Sequence, residues 1–454
     1  MKKKLENRKN NKSIIVSTLI FVITFIAMAG YLIYFNLTQA ESIINNSYNK
    51  RQGVLSRRTI RGSILSDDKT KLAVTNVDDD GNETRYYPYS GLFSHTIGYL
   101  NNGGYGLESL YGYYMLHSNQ NFFEQIGNDL SGNRNTGDNV VTTLNVGLQK
   151  ACYDALGSNR GAVIVMEPST GKILAMVSKP DFDPNTLAAN WSQITGEGSD
   201  SVLVNRATQG LYPPGSTFKL ITMLEYLREH KNDYGQYHYI CDGTYELGNN
   251  TINCVRTTAH GDVDLFSSLA VSCNCSFINI GLSLDLDRYK KTAEKMLFNK
   301  ELPTNLEYNK SRFVLNGESS EWDIAQTSFG QGKTVITPFH LALITCTIAN
   351  NGTLMEPYLV SSVESTNGMT VKKFKEEKYD TLITEKEASL LKKGMEQVVK
   401  DSFSWLFGGV EYTLAAKSGS AQYGTEGYEH SLYASFSPAD NPEIAVVAGG
   451  GGGA

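Results

Sequence analysis

The sequence predicts a membrane-anchored α+β protein, on three observations. Residues Ser13 to Phe35 carry no charge and are long enough to cross a bilayer core of roughly 30 Å. From Arg61 to about residue 140 the chain reads as short strands broken by Gly- and Asn-rich loops. At Gly161 it turns into an uninterrupted apolar hairpin, followed by stretches of helical periodicity, and such strands belong in a sheet covered on both faces. The 454 residues leave room for two or three domains with their own cores, and 41% hydrophobic against 19% charged residues describes a globular chain rather than a disordered one.

Residues 1–12 hold five Lys and one Arg against one Glu, so of the formal net charge of −6 the remaining chain carries −11. An acidic body argues against a nucleic-acid partner. The basic tail is expected to stay in the cytoplasm and to send everything after residue 35 to the outer face. Ala27-Met28-Ala29 would suit a signal-peptide cleavage site, but the apolar run continues through Tyr31 to Phe35, which favours an uncleaved anchor over residues 13–35.

Residues 37–60 read as a polar stalk or helix leaving the membrane. Arg61-Gly62-Ser63-Ile64-Leu65-Ser66 and Lys71-Leu72-Ala73-Val74 alternate as strands around a turn at Asp67-Asp68-Lys69. The tyrosines that follow (Tyr86, Tyr87, Tyr89, Tyr111, Tyr113, Tyr114) are read as packing, and residues 36–157 as a small non-catalytic module. Leu148 to Leu156 is an amphipathic helix. Gly161–Met166 and Lys172–Val177 then flank a turn at Glu167-Pro168-Ser169-Thr170-Gly171 and open the main sheet of a second module, residues 158–454.

Candidate chemistry begins at Tyr212-Pro213-Pro214-Gly215-Ser216-Thr217-Phe218-Lys219-Leu220. A proline pair can lead into a helix, and Ser216 to His230 has apolar positions at helical spacing. Three residues apart on a helix, the Lys219 amine comes beside the Ser216 hydroxyl. A serine hydroxyl becomes a nucleophile when a neighbouring base takes its proton, and a desolvated lysine can be that base. Taken alone, Ser216 reads more readily as a simple helix cap than as a nucleophile. Further on, Ser272-Cys273-Asn274 follows a helical stretch, Asp264 to Val271, and Lys417-Ser418-Gly419-Ser420 follows a strand expected at Tyr412 to Ala416.

These three motifs in this order, S-x-x-K, S-x-N and K-[ST]-G, resemble the set of the penicillin-binding proteins and serine β-lactamases. The likeness extends to residues 161–185, 205–222, 326–351 and 437–443, which resemble the transpeptidase domain of class B penicillin-binding proteins. Arg61-Gly62-Ser63-Ile64 and Gly106-Leu107-Glu108 are similar to marks of that class's pedestal domain. The resemblance implies an antiparallel sheet flanked by helices, a β-rich pedestal and a single anchor. It implies a D,D-transpeptidase in which Ser216 attacks the penultimate D-Ala carbonyl of a peptidoglycan stem peptide and Lys219 accepts its proton. Ser272 would relay a proton to the leaving amine, Asn274 would hold Lys219 and the substrate amide, and Lys417 would supply positive field. Ser418 would bind the substrate carboxylate, Gly419 would let the strand approach, and the amides of Ser216 and Ser420 would form the oxyanion hole. β-Lactams should acylate Ser216. In departure from the family, Ser418 replaces the commoner Thr, and the chain runs out in glycines where a C-terminal helix is usual.

A class A enzyme would need a glycosyltransferase domain of about 200 residues before Gly161, where only about 120 are available, so the polymerising partner is expected to be a separate membrane-embedded glycosyltransferase. Two rival readings share the motifs. A β-lactamase or β-lactam sensor would need a second carboxylate, for which Glu301 is a faint candidate. A catalytically idle scaffold would have no reason to keep all five motif side chains.

Four of the six cysteines fall between the first two motifs. Cys241, Cys254 and Cys275 with His260 make a tetrahedral zinc set, with Asp242 as a substitute ligand; a Cys241–Cys254 disulfide and free thiols are the alternatives. Cys273 is read as a small buried side chain, and zinc as a brace for the Ser272 and Asn274 loop. Cys152 and Cys346 sit in apolar helical text and are expected in the core. His430 is a candidate to line the cleft.

Overall fold

The computed structural model describes residues 2–38, 59–196, 199–423 and 428–451. Most of the expected stalk lies outside the described residues. Helix α1, Lys2–Thr38, contains the one helix segment among the described residues, Lys12–Phe35, that is long and apolar enough to cross a membrane; its mean hydropathy is 2.4 and none of it is buried against the protein. An apolar helix that the protein leaves uncovered needs another apolar medium.

The pedestal is a six-stranded sheet in the order 370–373, 360–364, 139–142, 64–65, 71–77, 83–86. Ile64, Ala73 and Val140 form its buried face. Beside it, Glu108 is enclosed by two guanidinium groups, Arg61 Nε at 2.8 Å and Arg85 Nε at 2.7 Å. Two of the six strands come from inside the range expected for the second module: Val360–Glu364 pairs antiparallel with residues 139–142 and Thr370–Lys373 continues outward. Val360 and Val363 are buried there, so the chain returns to the pedestal after residue 158 because an apolar strand edge remains to be covered.

The main sheet consists of β1 (Gly161–Met166), β2 (Ile173–Lys179), β3 (Ala415–Tyr423), β4 (Tyr428–Ser437) and β5 (Ile444–Gly451), fully antiparallel in the order β3-β4-β5-β1-β2. The glycine-rich end of β5 pairs with Gly161 and Ala162 at the sheet's centre. The helices that bear on the site are α2 (Val146–Leu156), α3 (Lys219–Glu229), α4 (Leu265–Ala270), α5 (Asn274–Ser283), α6 (Pro338–Ala349) and α7 (Glu385–Ser402). Every residue of β1 and of α6 is buried, as expected of a strand covered on both faces and of a helix apolar all round. Leu148 and Leu156 of α2 and the buried Cys152 close the other face over Val163, Val165 and Val177, while Cys346 lies in the main core.

Two boundaries differ from the sequence expectation. Gly215–Phe218 is a tight 3-10 turn and α3 proper starts at Lys219. Gly215 takes a left-handed φ of +53° with β3 pressed against it, which sets the tighter turn. The third motif does not follow a strand at 412–416 but lies within one: Tyr412 and Thr413 are exposed, and pairing with β4 starts at Ala415.

Candidate active site

Three elements bring the motif residues together. The first is the Gly215–Phe218 turn, held by Gly215 N–H donating to Gly330 O (2.9 Å) and by Thr217 Oγ1 donating to Pro214 O (2.6 Å). Ser216 keeps partial exposure on this turn, whereas Lys219, one helical turn on, has none.

The second element is the α4–α5 junction. Asp264 caps α4 in a reciprocal box with Ser267, and Cys273 caps α5, its Sγ accepting from Ser276 N at 3.3 Å. Between the helices, Ser272 adopts φ +55°, a left-handed conformation costly for a residue with a β-carbon. In that conformation both its oxygens reach Lys219: Nζ donates to Ser272 O at 2.7 Å and to Ser272 Oγ at 3.2 Å, and also to Asn274 Oδ1 at 2.8 Å. Asn274 Nδ2 in turn donates to Asn253 O at 3.0 Å.

The third element is β3. Lys417, fully buried, donates from Nζ to Ser272 Oγ at 3.0 Å and to Ser418 O at 2.8 Å. A β-carbon built on Gly419 would lie 2.7 Å from Pro214 O and 3.0 Å from Ser216 N, so only glycine lets the strand meet the Ser216 turn. Ser420 makes the same close approach to Gly215. Ser418 is partly exposed and Ser420 exposed.

The electrostatics follow from burial. Desolvation lowers the Lys219 pKa to about 7, against the opposing influence of the Cys273, Cys254 and Cys275 thiols. Desolvation, and then the charge of Lys219, hold Lys417 well below its ordinary value. Two buried amines on one hydroxyl cannot both keep a proton cheaply, so the pair favours a single charge.

His430 on β4 is half-buried and its ring packs edge-on against Tyr212 at 5.0 Å, just before the Ser216 turn. Glu301 pairs with Lys310 at 2.5 Å and accepts from Tyr308, neither of them a motif residue. Sequence reasoning missed Gly330, whose left-handed φ of +88° brings it against Gly215, Asn253, which contributes only its carbonyl, and Phe277, whose ring lies 5.5 Å from Lys219 Nζ. A backbone carbonyl leaves no mark in residue type.

The cysteine cluster sits directly behind the second motif. None of the six cysteines is in a disulfide, and the Cys241 and Cys254 sulfurs are 3.7 Å apart, too far for the disulfide alternative. The four donor atoms that gather within 4.8 Å of one another belong to Cys241, Cys254, His260 and Cys273. The expected fourth ligand, Cys275, instead lies 3.4 Å from Cys254 on the first turn of α5. Cys273, read from sequence as a small buried side chain, is fully buried and completes that mutually close set, its sulfur 3.8 Å from Cys254. Asp242 is exposed and bonds Thr244.

Comparisons with known proteins cover both modules. Residues 161–449 match the penicillin binding protein transpeptidase domain, and residues 61–140 the penicillin binding protein A dimerisation domain. The chain is 31% identical to the peptidoglycan D,D-transpeptidase PbpA of Mycolicibacterium smegmatis, over 81% of this chain and 77% of that one. It is 27% identical to the D,D-transpeptidase MrdA of Acinetobacter baumannii, over 80% of this chain and 62% of the relative. Among solved structures, the ceftriaxone acyl-enzyme complex of penicillin-binding protein A from M. tuberculosis superposes with a TM-score of 0.79 at 28% identity, covering 87% and 93% of the two chains. A transpeptidase domain from Eggerthella lenta gives 0.77 at 29% identity, covering 86% and 93%. With both the catalytic and the pedestal models matched and the three motifs joined in one hydrogen-bonded network, the chain belongs to the class B penicillin-binding proteins.

Proposed function

We propose that this protein is a peptidoglycan D,D-transpeptidase working through an acyl-enzyme on Ser216. The observation that carries the reading is the single hydrogen-bonded network of Lys219, Ser272, Asn274 and Lys417 beside the Ser216 turn. Ser216 Oγ attacks the carbonyl of the penultimate D-Ala, and its proton passes to Lys219, which a pKa near 7 suits as a base at neutral pH. The three acceptors around Nζ accommodate the ammonium that forms. The tetrahedral oxyanion is met by the amides of Ser216 and Ser420. Ser272, bonded to both amines, hands a proton to the departing D-Ala nitrogen as the C–N bond breaks. An amine from a neighbouring stem then attacks the ester, restoring Ser216 and closing the cross-link. Ser418 holds the terminal carboxylate of the donor, and Asn274 its amide. A β-lactam, whose strained amide imitates D-Ala-D-Ala, acylates the same hydroxyl.

The basic tail before Lys12–Phe35 favours an orientation with the catalytic module outside the membrane, and glycan polymerisation falls to a separate membrane glycosyltransferase. We place the division between pedestal and transpeptidase modules near residue 157, a reading supported by the matched ranges 61–140 and 161–449, with 360–373 lent back to the pedestal sheet. In this reading the chain's own side chains and backbone amides supply the chemistry, as the transpeptidase family to which it belongs supports. The cysteine and histidine donor set fits a structural zinc ion, held by Cys241, Cys254, His260 and a further cysteine; such an ion supplies a cross-link between chain segments and no reactive group.

Intact-mass measurement with labelled penicillin tests the reading. One adduct per chain, on the Ser216 peptide and released slowly, is expected. An adduct elsewhere removes the nucleophile assignment, and rapid release as hydrolysed drug would make the protein a β-lactamase.

A further inference from the structure

The buried charges of the pedestal do not balance. Arg61 and Arg85 share one carboxylate, Glu108, and all three side chains are nine-tenths or more buried. The next acid, Glu83, is paired with Arg134 at 2.5 Å. One positive charge is left over, with no further carboxylate in ion-pair contact among the described residues. Burial lowers the Arg61 pKa although Glu108 opposes it, and the charge of Arg85 adds to the lowering. A guanidinium keeps its proton even so, and a buried one calls for a counter-charge.

A cavity of about 520 Å³ opens onto these groups at the seam of the two modules. Arg61, Tyr87 and Leu116 of the pedestal and Pro184 of the transpeptidase module form its buried lining. Asn185 fastens the seam there, its side chain accepting from Tyr87 N at 2.9 Å and donating to Tyr87 O at 3.0 Å. Two donors stand unused. Arg61 gives Nε and Nη2 to Glu108, while its Nη1 bonds none of the described residues. The Tyr87 hydroxyl is buried and finds no hydrogen-bond partner among them, and burial with the neighbouring Glu108 charge raises its pKa, so it stays a donor.

The cavity also adjoins an open sheet edge. Strand 83–86 ends the pedestal sheet and pairs on one side alone, with 71–77. Asp78 N–H donates to Asn82 O at 3.1 Å, which sets the phase of that ladder and turns the backbone groups of Glu83 and Arg85 outward. Thr75, directly opposite Arg85, lines the cavity with Glu83, Arg85 and Tyr87, alternate positions that share one face.

We infer that this cavity takes the carboxylate of an acidic peptide segment that adds to strand 83–86 as a further strand. A residue opposite Arg85 turns its side chain to the face of Arg85, so an Asp or Glu there meets Arg61 Nη1 and the Tyr87 hydroxyl. The outward backbone groups of Glu83 and Arg85 hold the segment's main chain. A carboxylate carries the one negative charge that the cluster lacks, whereas a phosphate dianion would bury a surplus of the other sign. The volume exceeds that of a carboxylate group, and Leu116 and Pro184 face the stem of the side chain that bears it. The site holds whether or not Ser216 is the nucleophile.

The test titrates the full-length chain in detergent micelles with a fluorescent, end-capped peptide alternating Thr and Val around a central Glu, and with its Gln twin. Saturable binding of the Glu peptide is expected, at least tenfold tighter than the twin. Tyr87→Phe removes only an unpartnered hydroxyl, so it should keep the melting temperature and the rate of acylation by penicillin while weakening the Glu peptide about threefold or more. Arg61→Gln should abolish the preference for Glu; where that variant fails to fold, Tyr87→Phe decides alone. Hydrogen exchange at the Glu83 and Arg85 amides should slow at least tenfold with the peptide bound. Equal binding of the two peptides, no binding of either, or indifference to Tyr87→Phe overturns the site. Carboxylate-dependent binding without amide protection overturns the added strand. Displacement by inorganic phosphate or by a synthetic stem peptide, at concentrations where acetate does nothing, overturns the occupant and assigns the cavity to that competitor.

Discussion

Lys417 Nζ donates to Ser272 Oγ at 3.0 Å, joining residues 145 positions apart in the chain. The same hydroxyl receives Lys219 Nζ at 3.2 Å, so one oxygen bridges the first and third motifs. Removing it separates two buried amines that otherwise share a proton path. Ser272→Ala is expected to slow acylation about 10²–10⁴-fold, the range for loss of a positioned proton-transfer group, with the protein still folded. Stopped-flow acylation by a chromogenic cephalosporin measures this; a loss below threefold would remove Ser272 from the proton path.

The pH dependence follows from Lys219. Burial lowers its pKa to about 7, and only the neutral amine accepts the serine proton. Protonation below that value disables the base, so acylation should fall about tenfold per pH unit in the acid limb and level off above about 7. A rate profile flat from pH 5.5 to 8 would show that Lys219 is not the base.

Lys417 is fully buried and pushed well below its ordinary pKa. Arginine cannot shed its proton, and its planar fork does not fit where a point-like amine meets Ser272 Oγ and Ser418 O. Lys417→Arg should therefore acylate no faster than Lys417→Ala, both at least 10²-fold below the unmodified protein. Recovery to within threefold by arginine would reduce Lys417 to a source of positive charge.

At Gly419 the obstacle is backbone on both sides. An added methyl group would meet Pro214 O at 2.7 Å and Ser216 N at 3.0 Å, and neither can rotate away as a side-chain tip could. Gly419→Ala should cost about 1–3 kcal/mol in stability, as overpacking does, and should displace the Ser216 amide. Thermal melting and acylation rate would both fall. An unchanged acylation rate would mean that the strand does not need this approach.

The site was legible from three motifs in order and the family they resemble, more than from the spacing of any one motif. Lys219, Ser272, Asn274 and Lys417, all singled out by those motifs, meet in one hydrogen-bonded network, and the apolar run of β1 announces a strand buried on both sides. What escaped reading depends on contacts between distant segments. Gly215 forms a 3-10 turn because β3 leans on it, and no feature of residues 212–230 contains that strand. Residues 360–373 join the pedestal because an edge there is left open, which only the assembled sheet reveals. Cys273 and Cys275 are both buried with their sulfurs near Cys254, and which of them joins the mutually close donor set depends on side-chain placement that residue type does not carry.

The pedestal has its own decisive group. Glu108 is buried, and although desolvation pushes its pKa up, Arg85 and Arg61 outweigh that and leave it below the ordinary carboxylate range. A depressed folded-state pKa means stability present above the unfolded value and lost as acid protonates the carboxylate, so the pedestal should weaken below about pH 4. Glu108→Gln keeps the shape but strands two buried guanidinium groups without a counter-charge, at an expected cost of about 3–5 kcal/mol. The triad lies outside the catalytic cleft, so acylation of the folded fraction at low temperature should persist. Chemical denaturation across pH 3–8 measures both effects: the variant should lose most stability at neutral pH and converge on the unmodified protein in acid. A loss under about 1 kcal/mol at pH 7 would mean that water reaches the arginines and that the triad is not what holds residues 61–140 together.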